Sequence, residues 1–254
     1  MKIDGLLLDL DGTLYLDDAP IDGAIEAIST LRERGVVCRY LTNTTRFSRR
    51  ALAERLRRLG FPAHDDEVFT ASLAAAQWLD QQEIHRIATY VPDAAREDFE
   101  EFGFDPIRPE AIVVGDLGER WDFKVMNRAF RQLLDGATLV ALQKNRYWRT
   151  GRGLELDAGP FVAALEYAID REAVVVGKPS RAFFELASAS TGLPIERLAV
   201  VGDDVDVDIG GAHAAALRGI LVRTGKFTQD RLDRGATVPH AILDSVANLP
   251  ELFE

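Results

Sequence analysis

The chain has 254 residues, 47% hydrophobic and 28% charged, with 20 Gly and 10 Pro, which excludes collagenous, low-complexity and wholly disordered chains. That length allows one large domain or two modest ones, with a sizeable core either way. The net charge of −11 argues against nucleic acid as a partner, since such binding rests on basic groups neutralising phosphates; it also poses a puzzle if the substrate is an anion.

In chain order, residues 6–8 predict a buried strand, 24–34 an amphipathic helix closed by Gly35, and 36–41 a second strand. Helices follow at 48–59, closed by Gly60, and at 71–79. Strands at 86–91, 111–114 and 138–141 come next, with helices at 93–101 and 123–134, and then a polar, aromatic segment over 143–153. The strand–helix rhythm resumes with a strand at 173–176, a helix at 181–191, a strand at 198–201, a helix at 210–217 and a strand at 220–222. Continuous apolar runs separated by helices predict an α/β fold, a doubly wound, Rossmann-like parallel sheet covered on both faces. In such a sheet ligands bind beyond the carboxyl ends of the strands. The middle of the chain has the same alternation but different content, which divides it into a core of 1–75 plus 173–254 and an inserted α/β domain of 76–172.

Cys38 is the single cysteine, so no internal disulfide forms and a reducing cytoplasm is the expected compartment. It lies in an apolar strand and reads as core. The first apolar stretch carries Asp4, Asp9 and Asp11 and does not read as a signal peptide. No apolar run approaches the ~18 residues of a membrane span.

The first chemical signal is Leu6-Leu7-Leu8-Asp9-Leu10-Asp11-Gly12-Thr13. A buried strand ends in two carboxylates that strand alternation places on one side. Carboxylates this close raise each other's pKa unless a cation intervenes, and a carboxylate can itself be a nucleophile. An isolated Asp-x-Asp-Gly is equally a strand-end pair capping a turn. A second apolar strand also ends in carboxylates: Leu198-Ala199-Val200-Val201-Gly202-Asp203-Asp204-Val205-Asp206-Val207-Asp208. In a parallel sheet both clusters emerge at one edge, and their hard oxygen ligands suit magnesium. Asp206 reads instead as a charge favoured at the start of the next helix.

Two more strand ends carry phosphate-binding groups. Thr42-Asn43-Thr44-Thr45 offers hydroxyl, amide and backbone donors ahead of a helix, where Thr45 or Ser48 alternatively serves as a cap. Val176-Gly177-Lys178-Pro179 aims a lysine into the carboxylate-rich edge as countercharge.

Asp9-x-Asp11-Gly12-Thr13, Thr42-Asn43, Lys178-Pro179 and Gly202-Asp203-x4-Asp208 resemble, in order, the four motifs of the haloacid dehalogenase superfamily. The likeness extends through residues 115–134, Asn145-Arg146-Tyr147, Gly159-Pro160-Phe161 and 164–168 to the branch with an inserted C2-type α/β cap, subfamily IIA. The resemblance implies an Mg2+-dependent phosphatase acting on a small phosphorylated substrate. In it Asp9 is the nucleophile that becomes an aspartyl-phosphate and Asp11 the general acid and base. The metal is held by Asp9, the Asp11 backbone carbonyl and Asp203; Thr42, Asn43 and Lys178 hold the phosphoryl oxygens; and Asp208, Asp204 and Thr13 support them from behind, with Asp203 favoured over Asp204 as the metal-facing residue. The second Asp of the first motif, Asp11, marks phosphoryl chemistry rather than dehalogenation.

The segment 143–153 carries Lys144, Arg146, Arg149 and Arg152 around Tyr147 and Trp148. It reads either as a specificity loop, with Asn145, Arg146 and Tyr147 meeting the substrate, or as an exposed basic hairpin. Trp121 and Phe123 read as core or interface of the inserted domain, and Arg46, Arg49, Arg50, Arg55, Arg57 and Arg58 as the solvated face of their helix. Rival readings are a phosphotransferase or mutase of the same superfamily, a receiver-like phospho-acceptor domain, and a scaffold without catalysis. Receivers have about half this length and do not carry their phosphorylated Asp in the first strand, and every catalytic position here is filled. No membrane or nucleic-acid partner is expected, and a homodimer is an open alternative to a monomer.

Overall fold

The computed structural model describes residues 3–150 and 153–253. In chain order its elements are β1 (Gly5–Asp9), β2 (Tyr15–Leu16), β3 (Ala19–Pro20), α1 (Ala24–Glu33), β4 (Val37–Thr42), α2 (Arg49–Arg58), β5 (Val68–Thr70) and α3 (Ala71–Gln81). They continue with β6 (Arg86–Tyr90), β7 (Gly103–Phe104), β8 (Ala111–Val114), α4 (Phe123–Leu134), β9 (Thr138–Ala141), β10 (Tyr147–Thr150), β11 (Gly153–Leu156), α5 (Ala158–Ile169) and β12 (Val174–Val175). The last are α6 (Arg181–Ala189), β13 (Leu198–Gly202), α7 (Gly211–Ala214), β14 (Arg218–Val222), α8 (Gln229–Arg234) and β15 (Ala241–Leu243), with a π-helical turn over Val205–Gly210. Among the described residues no helix is long and apolar enough to cross a membrane.

Packing divides the chain into two compact units: the residues up to Thr42, Arg50–Phe69 and those from Lys178 onward form one, and Asn43–Arg49 with Thr70–Gly177 form the other. The first is built on a six-stranded sheet of order β15-β14-β13-β1-β4-β5. β1 pairs in parallel with β13 on one side and β4 on the other. The chain therefore winds outward in both directions from β1, which makes β1 the switch point where a crevice opens beyond the strand ends. β1 is buried along its whole length, the condition that selects an unbroken Leu run over an alternating pattern. Leu6 and Leu8 share one apolar cluster with Ile28 and Leu31 of α1 and Leu52 and Leu56 of α2.

The second unit has a five-stranded sheet of order β12-β9-β8-β6-β7. Ala88, Tyr90, Ile112 and Val114 face Ala129 and Leu133 of α4 and Val162 and Leu165 of α5. Trp121 stacks between Tyr90 and Phe161, with ring centroids 5.7 and 4.9 Å away, whereas Phe123, expected in the core or an interface, is 82% exposed within this unit.

Three expectations change here, and the first is that the helix expected over 93–101 is a 3-10 run over Asp93–Phe99. The strand expected at 173–176 is shorter and does not join the main sheet; β12 pairs with β9 in the second sheet. Two residues cannot declare their sheet by pattern, because the choice depends on which partner lies alongside. The helix expected over 210–217 starts earlier, as the π turn at Val205–Gly210, and α7 ends at Ala214.

Candidate active site

β1 delivers Asp9 to the sheet edge, and the chain then turns sharply. The Leu10 carbonyl accepts hydrogen bonds from the Thr13 and Leu14 amides at 3.2 and 2.9 Å. Gly12 has φ +93°, and a Cβ there would collide with the Asp203 carboxylate, so glycine is required by conformation and by space. Thr13, fully buried, donates from Oγ1 to Asp9 Oδ2 at 3.1 Å. The threonine thus orients Asp9 and leaves its other oxygen to Lys178.

Lys178 Nζ donates to Asp9 and to Asp208 Oδ1, the latter at 2.7 Å. All three side chains are buried. Burial alone would push the lysine pKa down, but the Asp208 and Asp9 carboxylates outweigh it and raise it, so the ammonium stays charged. The lysine arrives on the chain leaving β12, a strand of the second sheet, so it is not at the end of a main-sheet strand as its sequence context suggested.

β13 delivers Asp203, nearly completely buried. Oxygens of Asp9, Asp203 and Asp208 lie within 4.8 Å of one another. Burial, then the Asp9 and Asp208 charges, push Asp203 up to about 8, and burial pushes Asp208 up to about 6 against the opposing pull of Lys178. Such crowding is what a hard divalent cation relieves, and three carboxylates are donors of the right kind. The residues present therefore fit Mg2+. Asp208 joins this group geometrically, while its bond to Lys178 accounts for much of its charge.

Asp204 faces elsewhere: its Oδ1 accepts from the Asp206 and Val207 amides at 3.0 and 3.1 Å. The cap of this turn is thus Asp204, and Asp206 lies in the first turn that follows, where a negative charge is favoured, as expected. Asp11 is solvent-exposed but flanked closely by protein; that desolvation, then the Asp9 charge, raises its pKa. Thr42 is buried at the end of β4. Asn43 opens the segment that packs with the second unit, where its Oδ1 lies 2.7 Å from the place a Cβ on Gly177 would occupy.

Several groups at the site were not anticipated. Thr224, Gly225 and Lys226, in the loop after β14, border Asp203 and Gly12: the Lys226 amide donates to Asp203 Oδ2 at 2.5 Å and Thr224 Oγ1 to the Gly12 carbonyl at 2.5 Å. A glycine between two polar residues just past an apolar strand was the available signal. Arg55, expected on a solvated face, lies over the buried Tyr15 ring at 4.7 Å and pairs with Asp18 at 3.2 Å.

Arg46, also expected on that face, precedes α2, bonds Asp116 at 2.6 Å and lies 4.2 Å from the Trp148 ring centroid, all within the second unit. Thr45 Oγ1 accepts from the Asp116 amide at 2.8 Å. Of the 143–153 segment, Lys144 pairs with Glu166 at 2.8 Å, Arg146 and Tyr147 are exposed, and Asn145 is half-buried with its carbonyl accepting from the Gly159 amide. Gly151, Arg152 and the Arg149 side chain lie outside the described residues.

A haloacid dehalogenase-like hydrolase family model matches residues 6–105 and a second, HAD-hydrolase-like, model matches 175–249. Haloacid dehalogenase-like hydrolase domain-containing protein 2 from Bos taurus is 43% identical over 240 residues, covering 94% of this chain and 92% of the relative. Phospholysine phosphohistidine inorganic pyrophosphate phosphatase from Homo sapiens is 38% identical over 255 residues, 98% and 93% of the two chains. Among solved structures, the p-nitrophenyl phosphatase from Archaeoglobus fulgidus aligns with a TM-score of 0.93 at 29% identity, over 99% of this chain and all of the other. A glycerol phosphate phosphatase from Mycobacterium tuberculosis in complex with magnesium aligns at 0.88 and 30%, over 96% and 75%. With the carboxylates of β1 and β13 and the buried Lys178 in place, these matches identify the chain as an enzyme of the haloacid dehalogenase-like hydrolases, in the branch that carries a C2-type α/β insert.

Proposed function

We propose that the chain is an Mg2+-dependent phosphatase that hydrolyses a small phosphorylated substrate through an aspartyl-phosphate on Asp9. The observation that carries this reading is the Asp9 carboxylate held between Thr13 Oγ1 and Lys178 Nζ, with Asp203 and Asp208 beside it. A nucleophile fixed from both oxygens is pre-oriented for in-line attack.

Asp9 attacks phosphorus as the bond to the leaving-group oxygen breaks, and Asp11 delivers its proton to that oxygen. The raised pKa of Asp11 suits a group that must hold a proton before transfer. Asp11 then takes a proton from water, the resulting hydroxide attacks phosphorus, and the acyl phosphate cleaves to return the Asp9 carboxylate and free phosphate. Lys178 and Thr42 hold the phosphoryl oxygens, whose charge dominates the transition state; Asn43, next along the chain, supplies a further donor. Asp9, Asp203 and the Asp11 carbonyl would hold the metal, with Asp208 keeping Lys178 in place. Bound there, Mg2+ offsets the carboxylate charge and polarises the phosphoryl group.

Phosphomonoesters are the broadest substrate class, and the names of the relatives add pyrophosphate and P–N compounds. The test is phosphate release from p-nitrophenyl phosphate and pyrophosphate, with magnesium and with EDTA, by wild type and Asp9→Asn. Metal-dependent release that Asp9→Asn abolishes supports the reading. An unchanged rate in the variant, or phosphate found only on an acceptor, overturns it.

A further inference from the structure

Thr224, Gly225 and Lys226 follow β14, a strand whose end bears none of the four family motifs. Two hydrogen bonds nevertheless tie this loop to both carboxylate-bearing turns. Thr224 Oγ1 donates to the Gly12 carbonyl at 2.5 Å, and the Lys226 amide donates to Asp203 Oδ2 at 2.5 Å. Between them Gly225 sits at φ +57°, where a Cβ would lie 2.6 Å from the Gly12 Cα and overlap the Asp203 carboxylate. The loop therefore approaches as closely as backbone can, and glycine is the residue that permits it.

We propose that Thr224-Gly225-Lys226 is a positioning loop for the reaction centre, which bolts the nucleophile turn to the metal-facing carboxylate Asp203. This rests on the function proposed above and adds a residue set to it. A carboxylate flanked by Asp9 and Asp208 is repelled from both. Without an anchor it would swing outward, and the Lys226 amide supplies that anchor. The Thr224 hydroxyl does the complementary task, because Gly12 has no side chain with which to hold its own turn. Orientation of ligands by their outer partners commonly changes metal affinity by about 10–100-fold.

The test compares wild type, Thr224→Val and Thr224→Ser by calorimetric titration with Mg2+ in the absence of substrate, by steady-state kinetics on p-nitrophenyl phosphate, and by thermal melts in EDTA. Valine is close to threonine in size and removes only the donor, while serine keeps it. The expected result is about tenfold weaker Mg2+ binding and a comparable fall in kcat for Thr224→Val, with KM changed less than kcat. Thr224→Ser is expected within about twofold of wild type. A valine variant that binds Mg2+ and turns over like wild type overturns the proposal, as does one whose losses serine shares. Wild type that neither binds Mg2+ nor releases phosphate overturns the function proposed above, and the loop's role falls with it.

Discussion

Lys178 Nζ and Asp208 Oδ1 are 2.7 Å apart, and both side chains are almost wholly removed from water. The lysine also bonds Asp9, so one ammonium serves two buried carboxylates. Lys178→Met keeps the length of the side chain and deletes that charge. Removing one partner of a buried ion pair typically costs about 3–5 kcal/mol; the lower end is expected here because Asp208, already raised to about 6, can take up a proton. In the proposed reaction Lys178 holds the transferred group, so its loss is expected to lower turnover by about a hundredfold or more. Circular dichroism melts and phosphate release measure the two effects, and a variant with wild-type values for both would remove Lys178 from the centre.

Metal removal tests the carboxylate cluster independently of any substrate. With Asp203 pushed up to about 8 by burial and by Asp9 and Asp208, the cluster stores repulsion that a divalent cation relieves. Saturation at a hundred times Kd adds about 2.7 kcal/mol to folding stability. Melting temperature is therefore expected to rise with added Mg2+ and to fall back with EDTA, and the shift is expected to shrink in Asp203→Asn. Equal melting temperatures with and without Mg2+ in wild type would show that the cluster does not bind it.

Asp98, in the second unit, offers a pH prediction of its own. Its Oδ1 accepts from the Arg49 amide at 3.0 Å, yet burial pushes its pKa from the ordinary 3.8 up to about 6. A folded-state pKa above the unfolded one means that the folded chain holds the extra proton between those values. The contribution of Asp98 is therefore fully present below about pH 3.8 and is lost as pH rises through about 6. Asp98→Asn keeps an acceptor and removes the titration. Relative to wild type it is expected to gain stability by on the order of 1 kcal/mol between pH 4.5 and pH 7, measured by urea unfolding at both values. A stability difference independent of pH would contradict the shift.

Much of the main unit was legible because burial on both faces leaves an unmistakable mark. The Leu run of β1 and the apolar run of β13 each end in Asp, and sequence alone therefore brings Asp9 and Asp203 to one sheet edge. What sequence does not carry is partnership at a distance. Asn43–Arg49 sits in the middle of main-unit elements yet packs with the other unit, through bonds such as Thr45 to the Asp116 amide. Arg46 lies in one basic stretch with Arg49 and Arg50, and nothing in that pattern announces its bond to Asp116 or its place over the Trp148 ring. The loop at Thr224 has no periodicity at all, because its role comes from backbone approach rather than from a buried face.

Trp121 and Phe123 make the same point by contrast, since both read from sequence as aromatic core or interface. Trp121 lies between two parallel rings, Tyr90 and Phe161, at interplanar angles of 10° and 14°. Phe123 opens α4 with 82% of its surface exposed. Truncating a packed tryptophan removes both its buried area and its stacking and leaves a void, at a cost of about 3–5 kcal/mol. Its unpartnered Nε1 places the expected value for Trp121→Ala at the lower end, since no hydrogen bond is lost. Phe123→Ser changes little that is buried within its unit, and its position at the first turn of α4 tolerates a small polar residue; an effect within about 0.5 kcal/mol is expected. Denaturant unfolding of both variants gives the comparison directly. A large cost for Phe123→Ser would mean that this ring is covered in solution, and a small cost for Trp121→Ala would mean that the three-ring stack does not hold the second unit together.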